Sequence, residues 1–129
     1  MEQPKPTLDQ RRAAHAWKTV AEAKKLPEGL KKSFAAEAKK LPARILSAGL
    51  AGSLAFLTAK EPKLLTARLS DWILKERKLD GAAEQDLLAR IVKGDSLYLR
   101  RATDEALAYL QWLVRLAEAE GLANDDKAA

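Results

Sequence analysis

Alanine and leucine fill 47 of the 129 positions, whereas valine, isoleucine and threonine together fill 11. No other feature narrows the fold as far. Straight and small side chains lose little freedom in a helix, while strands draw on the β-branched residues that are scarce here. The expectation is an all-α chain, a single-domain bundle of about six helices over residues 1–121 with a flexible tail at 122–129. A chain of this length buries roughly two thirds of its unfolded surface and needs no staple to hold a core.

Prolines and glycines divide the chain into pieces. Thr7 followed by Gln10 fits a capping box that opens a helix over about residues 8–25. Pro27 and Gly29 interrupt it, and a second helix fits Leu30 to Lys40. Pro42 either starts a new helix or kinks a continuing one. The uncharged stretch Ile45–Ala59 reads as part of a buried central helix over 43–59, too short to span a bilayer. Pro62 suits the first turn of a fourth helix to about Lys78, and Asp80–Gly81 a turn. A short fifth helix holds Leu87, Leu88, Ile91 and Val92. Asp95 or Ser96 caps the last helix, which Gly121 ends near Glu120.

Chemistry is sparse. Cysteine is absent and His15 is the one histidine, which removes thiol catalysis and sites needing two histidines of one chain. His15 falls on a polar stripe with Arg11, Lys18, Glu22 and Lys25 and reads as exposed. The carboxylates pair locally at i,i+4, as Glu28–Lys32, Asp71–Lys75 and Arg101–Glu105. Phosphate loops, dinucleotide fingerprints and zinc-protease motifs are missing. The expectation is a non-enzyme without metal or cofactor. The polar start of the chain has no apolar leader segment, so the expected location is cytoplasmic.

Charge is unevenly spread. Residues 1–78 carry 17 basic and 8 acidic side chains, and residues 79–129 carry 6 and 10. The basic part suits a polyanion and the acidic part a protein neighbour or solvent. Candidate RNA-binding residues are Lys31, Lys32, Lys39, Lys40 and Arg44, which cluster around Pro42 with few carboxylates nearby, and Arg68, Lys75 and Lys78. With seven aromatics in all, mostly at core spacing, phosphate contact is favoured over base stacking. Ala48, Gly52, Ala55 and Ala59 recur at steps of four, three and four. The simplest reading is close packing of 43–59 against 97–117, so that Gly52→Leu would overpack the contact. A face for a partner protein is the alternative.

Two segments carry a resemblance. Arg44–Lys60 resembles a signature of the small helical subunit of the Cmr complex, the type III-B CRISPR RNA-guided effector, at Gly49, Leu50, Leu54, Ala55, Phe56, Leu57 and Lys60. Leu97–Ala119 resembles the family's second signature, at Tyr98, Arg101, Ala102, Thr103, Glu105, Ala106, Leu107, Leu110, Trp112, Leu113, Arg115 and Ala117. The resemblance covers about residues 40–120 and implies an all-helical, non-catalytic subunit. It further implies stacking into a filament beside the backbone subunits, near the large subunit, around a guide–target RNA duplex and mainly along the target strand, with weak or no self-association when free. A free-standing protein-interaction adaptor and a stand-alone nonspecific nucleic-acid binder stay open as alternatives.

Overall fold

The computed structural model describes residues 3–79 and 86–122. Among these residues there are six α-helices and no strand: α1 Leu8–Ala23, α2 Glu28–Ala48, α3 Leu50–Thr58, α4 Leu64–Ser70, α5 Leu87–Lys93 and α6 Ser96–Ala119. A π-helical turn, Asp71–Glu76, continues α4. The all-α bundle expected from the Ala and Leu bias is thus the observed architecture. The Asp80–Gly81 turn and residues 123–129 of the expected tail lie outside the described residues. Leu122, by contrast, is buried.

The capping box at α1 forms in full. The Gln10 backbone N–H donates to Thr7 Oγ1 at 3.0 Å, and the Thr7 N–H donates to Gln10 Oε1 at 2.7 Å. Asp95 rather than Ser96 caps α6, its carboxylate accepting from the Tyr98 N–H at 2.9 Å. Gly121, at φ 79°, ends that helix in the left-handed region open to glycine.

Of the two readings of Pro42, the structure takes the continuing helix and starts no new one there. Proline inside a helix removes one hydrogen bond and costs about 3 kcal/mol, yet α2 runs through it. Burial offsets that loss, because Ala38, Leu41 and Ile45 on either side of Pro42 are all in the core. The break falls at Gly49 instead, where φ is 84°. Residues 43–59 are therefore two helices, and α3 lies mainly against α2 and α5, while α6 packs chiefly on α1 and α2. The expected docking of 43–59 as one helix against 97–117 does not occur.

The small-residue stripe is correspondingly exposed: Ala48, Gly52, Ala55 and Ala59 all face outward. A Cβ placed on Gly52 would meet only the Ala48 Cβ, at 4.0 Å. The close approach that would make leucine overpack there does not exist. The fourth helix also begins later than expected, at Leu64 with Lys63 at its cap, and Lys78 stands beyond the π turn at φ 50°.

The core joins Phe34 and Leu41 of α2, Leu54 of α3, Leu69, Trp72 and Ile73, and Tyr109, Leu110 and Leu113 of α6. Burying each such side chain contributes about 1.5–3 kcal/mol.

Candidate nucleic-acid interface

Helix α2 carries the most open cationic surface. Lys32, Ala36, Lys39, Ala43 and Leu46 follow steps of four and three and are all exposed, with Lys40 beside them. The opposite side buries Phe34, Ala38, Leu41 and Ile45, which fixes the lysines outward. Lys32 and Lys39 are two turns apart, about 10 Å along the axis. No carboxylate of the described residues forms an ion pair with Lys32, Lys39 or Lys40.

The other candidates are mostly engaged. Lys31 pairs with Glu28 at 3.4 Å, so the expected Glu28–Lys32 pair is replaced by an i,i+3 one. Arg44 Nη1 donates to Glu37 at 3.0 Å. Arg68 grips Glu22 through two hydrogen bonds, at 2.6 and 3.0 Å. That grip holds the Glu22 carboxyl below its ordinary range and raises the guanidinium. Lys75 stands 4.0 Å from Asp71, at the spacing expected. The π turn, with its i→i+5 pattern, rotates Lys75 and Lys78 away from the phase that a continuous α-helix would share with Arg68. Four of the eight candidates, Lys31, Arg44, Arg68 and Lys75, are thus already held by a carboxylate.

Three features were not legible beforehand. The first is at Phe56, which is 43% exposed. The Arg44 guanidinium lies 4.3 Å from its ring centroid and the Lys60 ammonium 4.9 Å. Glu37, nearly buried, connects the two cations, with Arg44 at 3.0 Å and Lys60 at 3.9 Å.

The second is His15, which is not the exposed side chain that its polar stripe suggested. Only 13% of its side chain is open. Nε2 lies 2.7 Å from Asp71 Oδ2, and Nδ1 lies 2.7 Å from the Tyr109 hydroxyl, which is itself 2.9 Å from Thr19 Oγ1. Thr19 Oγ1 also donates to the His15 carbonyl at 3.2 Å, so the ring, the two hydroxyls and the Asp71 carboxylate form one connected network. His15, Trp72 and Tyr109 also pack as rings, with centroids 5.3 to 5.7 Å apart. Burial pushes the Tyr109 hydroxyl well above its ordinary pKa. Arg11, Lys18 and Glu76 rim a shallow cleft of about 210 Å³ beside His15. Both ring nitrogens are hydrogen-bonded to protein partners.

The third is Glu105, buried to 4% exposure. It pairs not with Arg101 but with groups from two other elements. Arg12 donates from Nε and Nη2 at 2.7 and 3.0 Å, Trp72 Nε1 at 2.8 Å and Arg77 Nε at 2.9 Å. Burial alone would raise this carboxyl, but the hydrogen bonds from Arg12, Trp72 and Arg77 outweigh it and hold the pKa low. One signal was available: Glu105 continues the buried series Tyr98, Ala102, Tyr109 at helical spacing, where a charge demands a partner. Among the described residues, no cluster of histidine and carboxylate side chains is arranged to hold a metal ion. No helix among them is long and apolar enough to cross a membrane.

Residues 8–120 match the family model for the CRISPR-associated protein Cas_Cmr5. The chain is similar to the crystal structure of a CRISPR-associated Cmr5 family protein from Thermus thermophilus, with 28% identity and a TM-score of 0.74. That similarity covers 88% of this chain and 97% of the other. A search of curated proteins returns no match.

Proposed function

Because the chain belongs to the Cas_Cmr5 family of CRISPR-associated proteins, we propose that it is a non-catalytic subunit of a Cmr effector complex that lines the RNA channel with sequence-independent phosphate contacts. The observation that carries this reading is the outward lysine row of α2, Lys32, Lys39 and Lys40, with which no carboxylate among the described residues forms an ion pair. Lysine and arginine on phosphates position a strand without reading its bases, which suits a subunit that must accept any target. Lys31, Arg44, Arg68, Lys75 and Lys78 are secondary contacts in this reading, since most would have to release a carboxylate first.

Partners of two kinds follow. The target strand of a guide–target duplex would meet the lysine row. Neighbouring small subunits, stacked as a filament, and the backbone and large subunits would cover the exposed apolar side chains Leu46, Val92 and Leu97, which are 76%, 71% and 57% open. In this reading antiviral defence in the cytoplasm is the setting, and cleavage belongs to other subunits.

The test is target binding by assembled complexes carrying Lys32→Gln, Lys39→Gln and Lys40→Gln. Each lost contact should reduce the slope of log affinity against log salt by about 0.7 for single-stranded RNA. A wild-type slope with intact assembly would move the RNA surface elsewhere. Failed assembly would assign the row to a protein neighbour.

A further inference from the structure

A phenyl ring left 43% open on a helix surface, with two cations on it, is more than a leftover of packing. Arg44 is held in place by Glu37 at 3.0 Å, whereas Lys60 is only 3.9 Å from the same carboxylate and its side chain is 44% exposed. Arg44 is thus the fixed partner of the ring and Lys60 the movable one. The two cations come from either side of Gly49, where the chain turns between α2 and α3. We propose that Phe56, flanked by Arg44 and Lys60, is a stacking platform for a base of single-stranded RNA, with the two cations meeting the adjoining phosphates. The inference deepens the reading of the chain as an RNA-channel subunit and rests on it.

The chemistry favours nucleic acid over protein as the occupant. A protein covering Phe56 would have to dehydrate Arg44, Lys60 and Glu37 together, and charged groups are depleted from the cores of protein interfaces. A polynucleotide brings its own anions to those cations and a flat π-face to the ring. Stacking on aromatic side chains and on the guanidinium plane tolerates any base, so the platform adds affinity without adding sequence preference. Lys60, weakly tethered, can leave the ring for a phosphate as a base arrives.

The experiment uses the full chain at low salt, with fluorescence anisotropy of two probes: an oligouridylate and an abasic ribose-phosphate strand of the same length. Phe56→Leu should weaken oligouridylate binding about fivefold to 150-fold, the range for one base on an aromatic side chain. It should leave abasic binding and the salt slope unchanged, and Phe56→Trp should restore the affinity. Equal effects of Phe56→Leu on both probes, or none on either, overturn the platform. A slope that still depends on Lys32, Lys39 and Lys40 would then leave the phosphate reading standing. Failure of the chain to bind either probe at low salt, with its helix content intact, overturns the platform as well. So does a Phe56→Leu variant that binds both probes normally but no longer assembles with its partner subunits.

Discussion

Replacing Glu105 by alanine should destabilise the protein more than any other single change to a charged residue. The carboxylate is 4% exposed and accepts four hydrogen bonds, two from Arg12 and one each from Trp72 and Arg77. Removing it leaves the Trp72 N–H buried without its acceptor, and two guanidiniums that are only 17% and 29% exposed without their counterion. Breaking a buried pair by deleting one partner costs about 3–5 kcal/mol. For a domain of this size each kcal/mol lowers Tm by roughly 3–5 °C, so the loss should be on the order of 10–20 °C in calorimetry. Glu105→Gln keeps shape and one acceptor oxygen and should cost about half as much. The acid limb gives an independent check. The folded carboxyl binds its proton less tightly than the unfolded one, so its stabilisation is complete above the unfolded value near 4.3. It drains away as pH falls through the lower folded value. The glutamine variant should therefore show a flatter loss of stability below pH 4 than wild type. A Glu105→Ala protein that melts within 2 °C of wild type, or a glutamine variant with an unchanged acid limb, would refute the assignment of this carboxylate as the buried junction.

Two further changes test corrections that the structure makes. Gly52→Ala should raise stability by about 0.5–1 kcal/mol, because the site is an open helical position with ordinary space for a Cβ; a fall in Tm would show a close contact there after all. His15→Ala should cost about 1.5–3 kcal/mol through the loss of its links to Asp71 and Tyr109, measured by urea unfolding, whereas an exposed surface histidine would change stability by less than about 0.5 kcal/mol.

What was readable beforehand was local. The capping box at Thr7, a cap at Asp95 or Ser96 and the stop at Gly121 depend on residues within one turn; the first and last form as the spacing implies, and Asp95 takes the cap. The choice between Pro42 and Gly49 was not local. Both weaken a helix, and the outcome turned on which neighbours reach the core: Leu41 and Ile45 hold the chain helical across the proline. The candidate site divides the same way. Helical phase alone put Lys32 and Lys39 on one face of α2. It could not reveal that Arg68 is gripped by Glu22, 46 residues away, or that Glu105 is claimed by Arg12 across 93. Phe56 is 43% exposed although Leu54 and Leu57, its neighbours in sequence, are core residues, a difference that the aromatic count alone does not reveal.

The pairing of α1 with α6 also sets a timetable for synthesis. Arg12 finds Glu105, and His15 finds Tyr109, across 93 and 94 residues. At about 5–20 residues per second, a ribosome takes roughly 5–20 s to deliver the second member of each pair after the first. During that interval the apolar side of α1, Ala16, Val20 and Ala23, lacks its main packing partner α6 and has only the smaller contact with α4 and the π turn, and short helices with little to pack against are marginal in water. Ribosome-bound chains halted before Ser96 should leave α1 open to protease, and chains extended past Ala119 and clear of the exit tunnel should protect it. α1, translated first among the described helices, thus becomes secure only once α6 has emerged.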